Sequence, residues 1–217
     1  MRAARLARLG GLYAIVGDED TVARAEAAVE GGAGCVQVRM KRSPAGRVLE
    51  AAREIAARWR GRALVIVNDR VDLAVLAGAD GVHLGDEDLP VPEARRLCGE
   101  GMLVGRTCRT AEEARRALAE GADHVGYGPV FPSRTKPIDV APRGLEGVAA
   151  LRRAIAAPIV AISGIELANI GDVAAAGATA AAVVGDLFER GDPPGIRARA
   201  RLLAEAFAEG ARRRREP

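Results

Sequence analysis

The sequence predicts a single (β/α)8 barrel, a TIM barrel of eight parallel strands each followed by a helix. Three observations carry this. Short apolar runs alternate with longer Ala/Arg/Glu/Leu stretches of helical period along the 217 residues. The apolar runs lack polar–apolar alternation, as expected of parallel strands buried on both faces. One segment type, a glycine that ends a helix followed at once by a strand, recurs four times.

In chain order, the strands are expected at Leu12–Val16, Cys35–Val38, Leu64–Val67, Gly81–Leu84, Met102–Val104, His124–Tyr127, Ile159–Ile162 and Ala181–Val184. Helical period marks Thr21–Glu30, Ala45–Trp59, Ala111–Glu120 and Ala168–Ala176 among the intervening segments. The recurring segments begin Gly32-Ala33-Gly34, Gly78-Ala79-Asp80, Gly121-Ala122-Asp123 and Gly177-Ala178-Thr179, at spacings of 46, 43 and 56 residues. Each interval holds about two βα units, so the segments mark strands two, four, six and eight. The longest interval contains a Pro- and Gly-rich insertion, Gly128–Gly147, after the sixth strand. Loops there lie on the functional face of a barrel. An open doubly wound sheet would want a Gly-rich turn after the first strand, and Gly17-Asp18-Glu19-Asp20 is not one. The expected organisation is a basic segment at 1–10, one barrel domain at 11–210 and a flexible Arg-rich tail at 211–217.

Composition narrows the function. Aromatics are only 3%, so the core is aliphatic and no surface for stacking single-stranded nucleic acid is expected. The net charge of +3 comes from the ends: without residues 1–10 and 211–217, 25 basic residues face 28 acidic ones. A nucleic-acid partner would need its basic cluster on a folded face. No apolar run reaches the length of a membrane span, and the N-terminus lacks the apolar stretch of a secretory signal. Three cysteines, Cys35, Cys98 and Cys108, show neither metal-ligand nor disulfide spacing. They fit buried thiols in a reducing cytoplasm. The partners expected are small molecules, and a homodimer is left open.

Barrel active sites lie on the loops that follow the strands. Alternation puts Gln37, Arg39 and Lys41 on one side of the second strand's end, and two cations with an amide fit a phosphate or diphosphate. The third strand ends in Asn68-Asp69-Arg70 and the fourth leads into Asp86-Glu87-Asp88. Asp69 with one carboxylate of 86–88 suits Mg²⁺, which takes one or two protein carboxylates and keeps water or phosphate in its other positions. The remaining acids of 86–88 are expected to cap the helix that starts near Pro90. Asp72 matches the dipole of a first helical turn. His83 is either packed in the barrel mouth or in contact with substrate. Ser133, Thr135 and Lys136 after the sixth strand form an anion clamp, and Ser163-Gly164 with Val184-Gly185 leave backbone N–H groups free for a phosphate. Asp186 is expected to cap a short helix.

Together, Gln37-x-Arg39-x-Lys41, Asn68-Asp69-Arg70, Gly81-Val82-His83-Leu84-Gly85-x-Glu87-Asp88, Gly128-Pro129-Val130-Phe131-Pro132-Ser133-x-Thr135-Lys136 and Gly144-Leu145-Glu146-Gly147 resemble the thiamine phosphate synthase family, from about Leu12 to Phe188. The resemblance implies a Mg²⁺-dependent transfer. Hydroxymethylpyrimidine diphosphate is joined to hydroxyethylthiazole phosphate, giving thiamine phosphate and pyrophosphate. It implies that Gln37, Arg39 and Lys41 hold the pyrimidine diphosphate, that Asn68 contacts the same substrate and that Asp69 and Asp88 hold Mg²⁺. Thr107 offers its hydroxyl to the pyrimidine and Lys136 touches the diphosphate. Ser133, Thr135, Gly164 and the Val184-Gly185 backbone bind the thiazole phosphate. Arg39, Lys41 and Lys136 are the implied catalytic cations.

The sequence departs from the family pattern at a few positions. Thr107 stands where a Ser is usual, Arg109 where a His is usual, Met40 where an acid is common, Ser163 for Gly and Gly185 for Ser. Two alternatives share the barrel. Thiazole tautomerases lack much of the diphosphate and metal set and use the His at the Arg109 position. A non-catalytic barrel could bind a thiamine precursor and act on a partner.

Overall fold

Eight strands close into one all-parallel barrel in chain order: β1 (Gly11–Val16), β2 (Cys35–Val38), β3 (Leu64–Asn68), β4 (Gly81–Leu84), β5 (Leu103–Cys108), β6 (His124–Tyr127), β7 (Ile159–Ile162) and β8 (Ala180–Val183), with β8 pairing back onto β1. Around them lie α2 (Thr21–Glu30), α3 (Ala45–Trp59), α4 (Val71–Ala77), α5 (Val91–Cys98), α6 (Ala111–Ala119), α7 (Gly144–Ala154) and α8 (Ile170–Ala175). A short α1 (Arg2–Leu6) precedes the barrel, and α9 (Gly185–Phe188) and α10 (Pro193–Arg213) complete it. The structure is a computed structural model and describes residues 1–132, 140–189 and 191–214. None of the described helices is long and apolar enough to cross a membrane.

The non-alternating strand pattern has a direct cause. Successive side chains point to opposite faces, and both faces are covered. Tyr13, Ile15, Cys35, Leu64, Ile66 and Leu103 pack inside the barrel. Their neighbours Ala14, Val36, Val65, Val67 and Val104 pack outward beneath the helices.

Three of the four echo segments share a physical basis; the fourth has Gly34, which carries no side chain, at this place. Asp80 Oδ2 accepts from Val65 N at 3.0 Å, Asp123 Oδ2 from Val104 N at 2.8 Å, and Thr179 Oγ1 from Ile159 N at 3.1 Å. In each case the residue before an even-numbered strand uses its side chain to occupy an N–H at the start of the preceding strand, which the ladder alone would leave open. The two carboxylates are held by arginines, Asp80 by Arg5 at 2.8 Å and Asp123 by Arg95 at 2.6 Å.

The structure corrects two boundary expectations and adds a helix to a third segment. The fifth strand does not stop at Val104. It runs on through Gly105-Arg106-Thr107-Cys108: Thr107 faces the barrel mouth, while Arg106 shares the outward face of Val104 and reaches the Leu89 and Asp86 carbonyl oxygens. The N-terminal basic segment contains α1, tied to the bottom of the barrel through Arg5. The chain is also not frayed from 211: α10 continues to Arg213, which pairs with Asp172 at 3.2 Å. It can do so because α10 lies directly on α8. A β-carbon at Gly210 would stand 1.8 Å from the Gly171 carbonyl oxygen, so the two backbones touch.

Candidate active site

Because all eight strands run the same way, their polar C-terminal residues meet at one mouth. The densest cluster stands where β3 and β4 end. Asp69 follows β3 in a left-handed conformation, φ 63°, with its N–H donated to the His83 carbonyl at 2.8 Å. This bond ties the β3 loop to β4 and aims the Asp69 side chain across the strand ends. Asp88 is fixed by a tight turn, its Oδ2 accepting from Gly85 N at 2.7 Å. The two carboxyl groups come within hydrogen-bonding reach of each other. Burial and the adjacent Asp69 raise Asp88 above the ordinary carboxylate value. Burial pushes Asp69 up as well, but the hydrogen bond from Asp88 and the Lys41 ammonium outweigh it, so Asp69 titrates below the usual range. Lys41 Nζ lies 2.7 Å from Asp69 Oδ2. Two facing carboxyl groups at the strand ends are a ready place for a divalent cation.

A cleft of about 320 Å³ opens beside this cluster, lined by Lys41, Ser43, Asn68, Asp69 and Asp88 among others. Asn68, Asp69, Lys41 and Asp88, expected from sequence to act together, are thus brought together. Among the described residues no group of three or more His, Cys, Asp or Glu could hold a metal. A pair of carboxylates is the donor set of an ion that takes few protein ligands, such as Mg²⁺.

Gln37 sits lower than its neighbours. It is 4% exposed on β2 inside the barrel, and its Nε2 donates to the Tyr13 hydroxyl at 2.9 Å. Burial alone would leave the amide unpaired; Tyr13, an inward residue of β1, supplies the partner. Arg39, just above, bonds its N–H to Val16 O at 2.8 Å and makes no ion pair among the described residues. Its charge still helps to hold Asp69 ionised.

Across the mouth, Thr107 is on β5 and its Oγ1 lies 3.1 Å from His83 Nε2. His83 is thus a mouth residue with a polar partner. A second cleft of about 340 Å³ is lined by Asp86, Arg106, Thr107 and Arg109. Arg109 forms an ion pair with Asp86, and its N–H donates to Glu113 Oε2 at 2.6 Å. The expectation that the acids of 86–88 not used for the metal cap the next helix fails: Pro90 is the N-cap of α5 and no side chain caps it, because Asp88 turns back to Gly85 and Asp86 reaches Arg109. Asp72 does occupy a first helical turn and pairs with Arg70.

At the β7 and β8 ends, Ser163 and Gly164 are both left-handed, φ 86° and 63°, and Ser163 Oγ donates to Phe131 O at 3.1 Å. Asn169 Nδ2 donates to Gly164 O at 3.0 Å. Val184 and Gly185 lie at the start of α9 on the neighbouring strand's end. Asp186 is not the cap expected of it. It sits inside α9, pairs with Arg199 of α10 and accepts from Leu167 N at 3.1 Å, which turns its charge away from the mouth. Ser133, Thr135 and Lys136 lie outside the described residues. The sequence reading missed Tyr13 and Asp86 as partners, since each meets a residue more than twenty positions away. It also missed Arg106 as a strand residue.

Comparison with known proteins gives the family of the chain. The family described as thiamine monophosphate synthase matches residues 12–187. A thiamine-phosphate synthase from Anaeromyxobacter dehalogenans is 63% identical over 204 residues, covering 94% of this chain and 92% of that protein. A thiamine-phosphate synthase from Myxococcus xanthus is 50% identical over 190 residues, covering 87% and 86%. The solved thiamine phosphate pyrophosphorylase from Pyrococcus furiosus superposes with a TM-score of 0.84 at 31% identity, over 94% of this chain and 98% of that one. With the family matched from the first strand to the helix after the eighth, this chain belongs to the thiamine monophosphate synthase family.

Proposed function

We propose that the chain joins hydroxymethylpyrimidine diphosphate to hydroxyethylthiazole phosphate, forming thiamine phosphate and releasing pyrophosphate. The observation that carries this reading is the Lys41–Asp69–Asp88 cluster at the ends of β2 to β4, a cation and two carboxylates beside one cleft. Family membership and the 63%-identical relative support the same reaction.

Asp69 and Asp88 are the residues that would hold Mg²⁺, which when bound neutralises charge on the diphosphate oxygens. Arg39 and Lys41 face the same oxygens, and Lys136 joins them by family resemblance. Charge builds on the leaving pyrophosphate as the bond to the pyrimidine methylene breaks, and these cations stabilise it there. Gln37, Asn68 and Thr107 orient the pyrimidine. Ser133, Thr135, Gly164 and the Val184-Gly185 backbone hold the thiazole phosphate, so that the thiazole nitrogen faces the forming cation. That nitrogen carries a free lone pair, and no general base is required. Positioning and electrostatics supply most of the acceleration.

The test is direct. The two substrates and Mg²⁺ are mixed with the protein, and pyrophosphate and thiamine phosphate are measured against omission of each component. The two products should appear in equal amounts. Pyrophosphate release without coupling, or neither product, overturns the reading.

A further inference from the structure

Asp18 takes no part in the chemistry above, yet it is built into the loop that carries Lys41. It lies just beyond β1, in the short connection 17–20 that leads to α2. That connection is held at both ends. Thr21, 6% exposed, donates its hydroxyl to Gly17 O at 2.7 Å. Asp20 turns left-handed, φ 43°, and its carbonyl accepts from Arg24 N at 2.9 Å in the first turn of α2. From this fixed base Asp18 reaches the neighbouring connection, 39–44, between β2 and α3. Its Oδ1 accepts from Ser43 Oγ at 2.7 Å and from Arg42 N at 3.1 Å. Its Oδ2 lies 3.5 Å from Arg42 Nε. At the strand ends the two connections are already joined by Arg39 N–H on Val16 O, 2.8 Å. Between there and the first turn of α3, the bonds to a neighbouring loop found among the described residues are those of Asp18.

We infer that Asp18 is a positioning residue for the diphosphate subsite: it clamps the backbone beyond Lys41, so that the ammonium is delivered to Asp69 and to a diphosphate bound beside it. Lys41 is 52% exposed, and its Nζ meets Asp69 Oδ2 at 2.7 Å. A lysine has a flexible four-carbon stem, so where its charge stands depends on where its backbone is held. The chain is fixed on one side of Lys41 at Arg39 N and on the other at Arg42 N and Ser43 Oγ. Met40 and Lys41 are then a two-residue bridge between anchors. Ser43 continues through Pro44, the N-cap of α3, into the helix whose first turn lines the same cleft. A carboxylate beside an anion subsite would repel its ligand. Here the oxygens are turned to Arg42 and Ser43, and Asp18 does not line the cleft. Loss of Asp18 would leave the Lys41 charge present but unplaced, and ordering it would then be a cost of binding. The substrate half of this inference rests on the proposed function; the clamp itself does not.

The experiment compares the full-length protein with Asp18→Ala, Asp18→Asn and Ser43→Ala. Trypsin cuts after Lys and Arg, so the rate of cleavage after Lys41 and Arg42, read from fragment masses in short digests, reports opening of the loop without any need for activity. Asp18→Ala should be cut there about tenfold faster or more, since two hydrogen bonds to a carboxylate are lost. Asparagine keeps a carbonyl oxygen that accepts from Arg42 N and Ser43 Oγ, so Asp18→Asn should stay within about twofold of the parent. In coupling assays Asp18→Ala should raise the pyrimidine diphosphate KM about five- to tenfold and leave the thiazole phosphate KM within about twofold. In a Lys41→Ala background the same change should add less than about twofold, because a clamp that acts through Lys41 has nothing left to place. Cleavage that neither Asp18→Ala nor Ser43→Ala accelerates overturns the clamp. A KM effect that is equal with and without Lys41, or that falls on both substrates, overturns the positioning role. If Asp18→Ala fails to fold, Ser43→Ala, which removes the shortest of the bonds, carries the same readouts. A parent that couples nothing overturns the proposed function, and the cleavage rates still decide the clamp.

Discussion

Lys41 Nζ lies 2.7 Å from Asp69 Oδ2, on a carboxylate that also meets Asp88. Lys41 therefore neutralises the carboxylate pair when no other cation does. A bound diphosphate offers the ammonium a second set of anionic oxygens, and a divalent cation can then take the carboxylates. Asp69→Asn tests this without disturbing the backbone, because Asn tolerates the left-handed conformation of this position, φ 63°. The variant should keep its far-UV spectrum and melting temperature and lose Mg²⁺-dependent pyrophosphate release by about a hundredfold or more. Unchanged turnover at limiting Mg²⁺ would remove Asp69 from the metal site.

The cations and the hydroxyl clamp should separate kinetically. Lys41→Ala and Lys136→Ala should weaken pyrimidine diphosphate binding by roughly tenfold to a hundredfold each, the usual effect of losing a hydrogen bond to a charged group. Thr135→Val should act mainly on the thiazole phosphate. Lys41 is 52% exposed, so its loss should leave stability nearly unchanged. The check is a pair of KM measurements with the other substrate saturating. Lysine variants that shift only the thiazole KM would mean that the two subsites have been exchanged.

How far the sequence could be read depended on the distance over which each interaction acts. Strands buried on both faces announce themselves locally, so β2, β4, β6 and β7 agree to the residue with the expected runs. β5 was cut short because Thr107 is polar toward the mouth and Arg106 toward the loop after β4, which makes a strand end look like a loop. The facing carboxylate pair was legible as Asp69 plus one of three acids. Bottom-up reading could not choose among them, because the choice of Asp88 rests on its turn back to Gly85 N, and only the family resemblance pointed to it. Gln37 on Tyr13 and Arg109 on Asp86 join separate βα units, and no local pattern encodes such pairs. His124 was invisible as a buried group, since a histidine opening an apolar run gives no sign of the space that Gly105 leaves beside it.

Stability should fall on mild acidification, and His124 should be one identifiable cause. Its folded value is lowered to about 3, mainly by burial, against about 6.5 in an unfolded chain. Between those values the unfolded state takes up a proton that the folded state refuses. The folded state therefore loses stability as pH falls below 6.5, by about 1.4 kcal/mol per pH unit at most. Above 6.5 the ring is neutral in both states and contributes no pH dependence. Urea midpoints of the parent should drop between pH 7 and pH 5, and His124→Phe should drop less, by about 2 kcal/mol over that span. Parallel curves for the two proteins would show that His124 is not shielded as the structure describes.

Arg109 stands where the related tautomerases use a histidine, and its ion pair with Asp86 decides what it can do there. A tautomerase needs a group that gains and loses a proton near neutral pH. A guanidinium does not, and one paired with a carboxylate does so even less. A synthase needs no proton carrier at this point, and Asp86 offsets the charge that would otherwise oppose a pyrimidine cation forming nearby. The protein should therefore couple its two substrates but isomerise a carboxylated thiazole phosphate poorly. Arg109→His should keep coupling within about tenfold of the parent, because the charge stabilisation comes from Lys41, Arg39 and the carboxylate pair on the other side of the mouth. Both members of the ion pair are more than a third exposed, so breaking it should change stability by no more than about 1 kcal/mol. Asp86→Asn supplies the converse. With Arg109 left uncompensated, coupling should slow while the fold is kept, and Arg109→His in that background should recover part of the loss because a neutral imidazole no longer opposes the cation. The measurement is a paired assay of coupling and tautomerisation on the parent and the three variants. Fast tautomerisation by the parent without pyrophosphate release would reverse the assignment of the site.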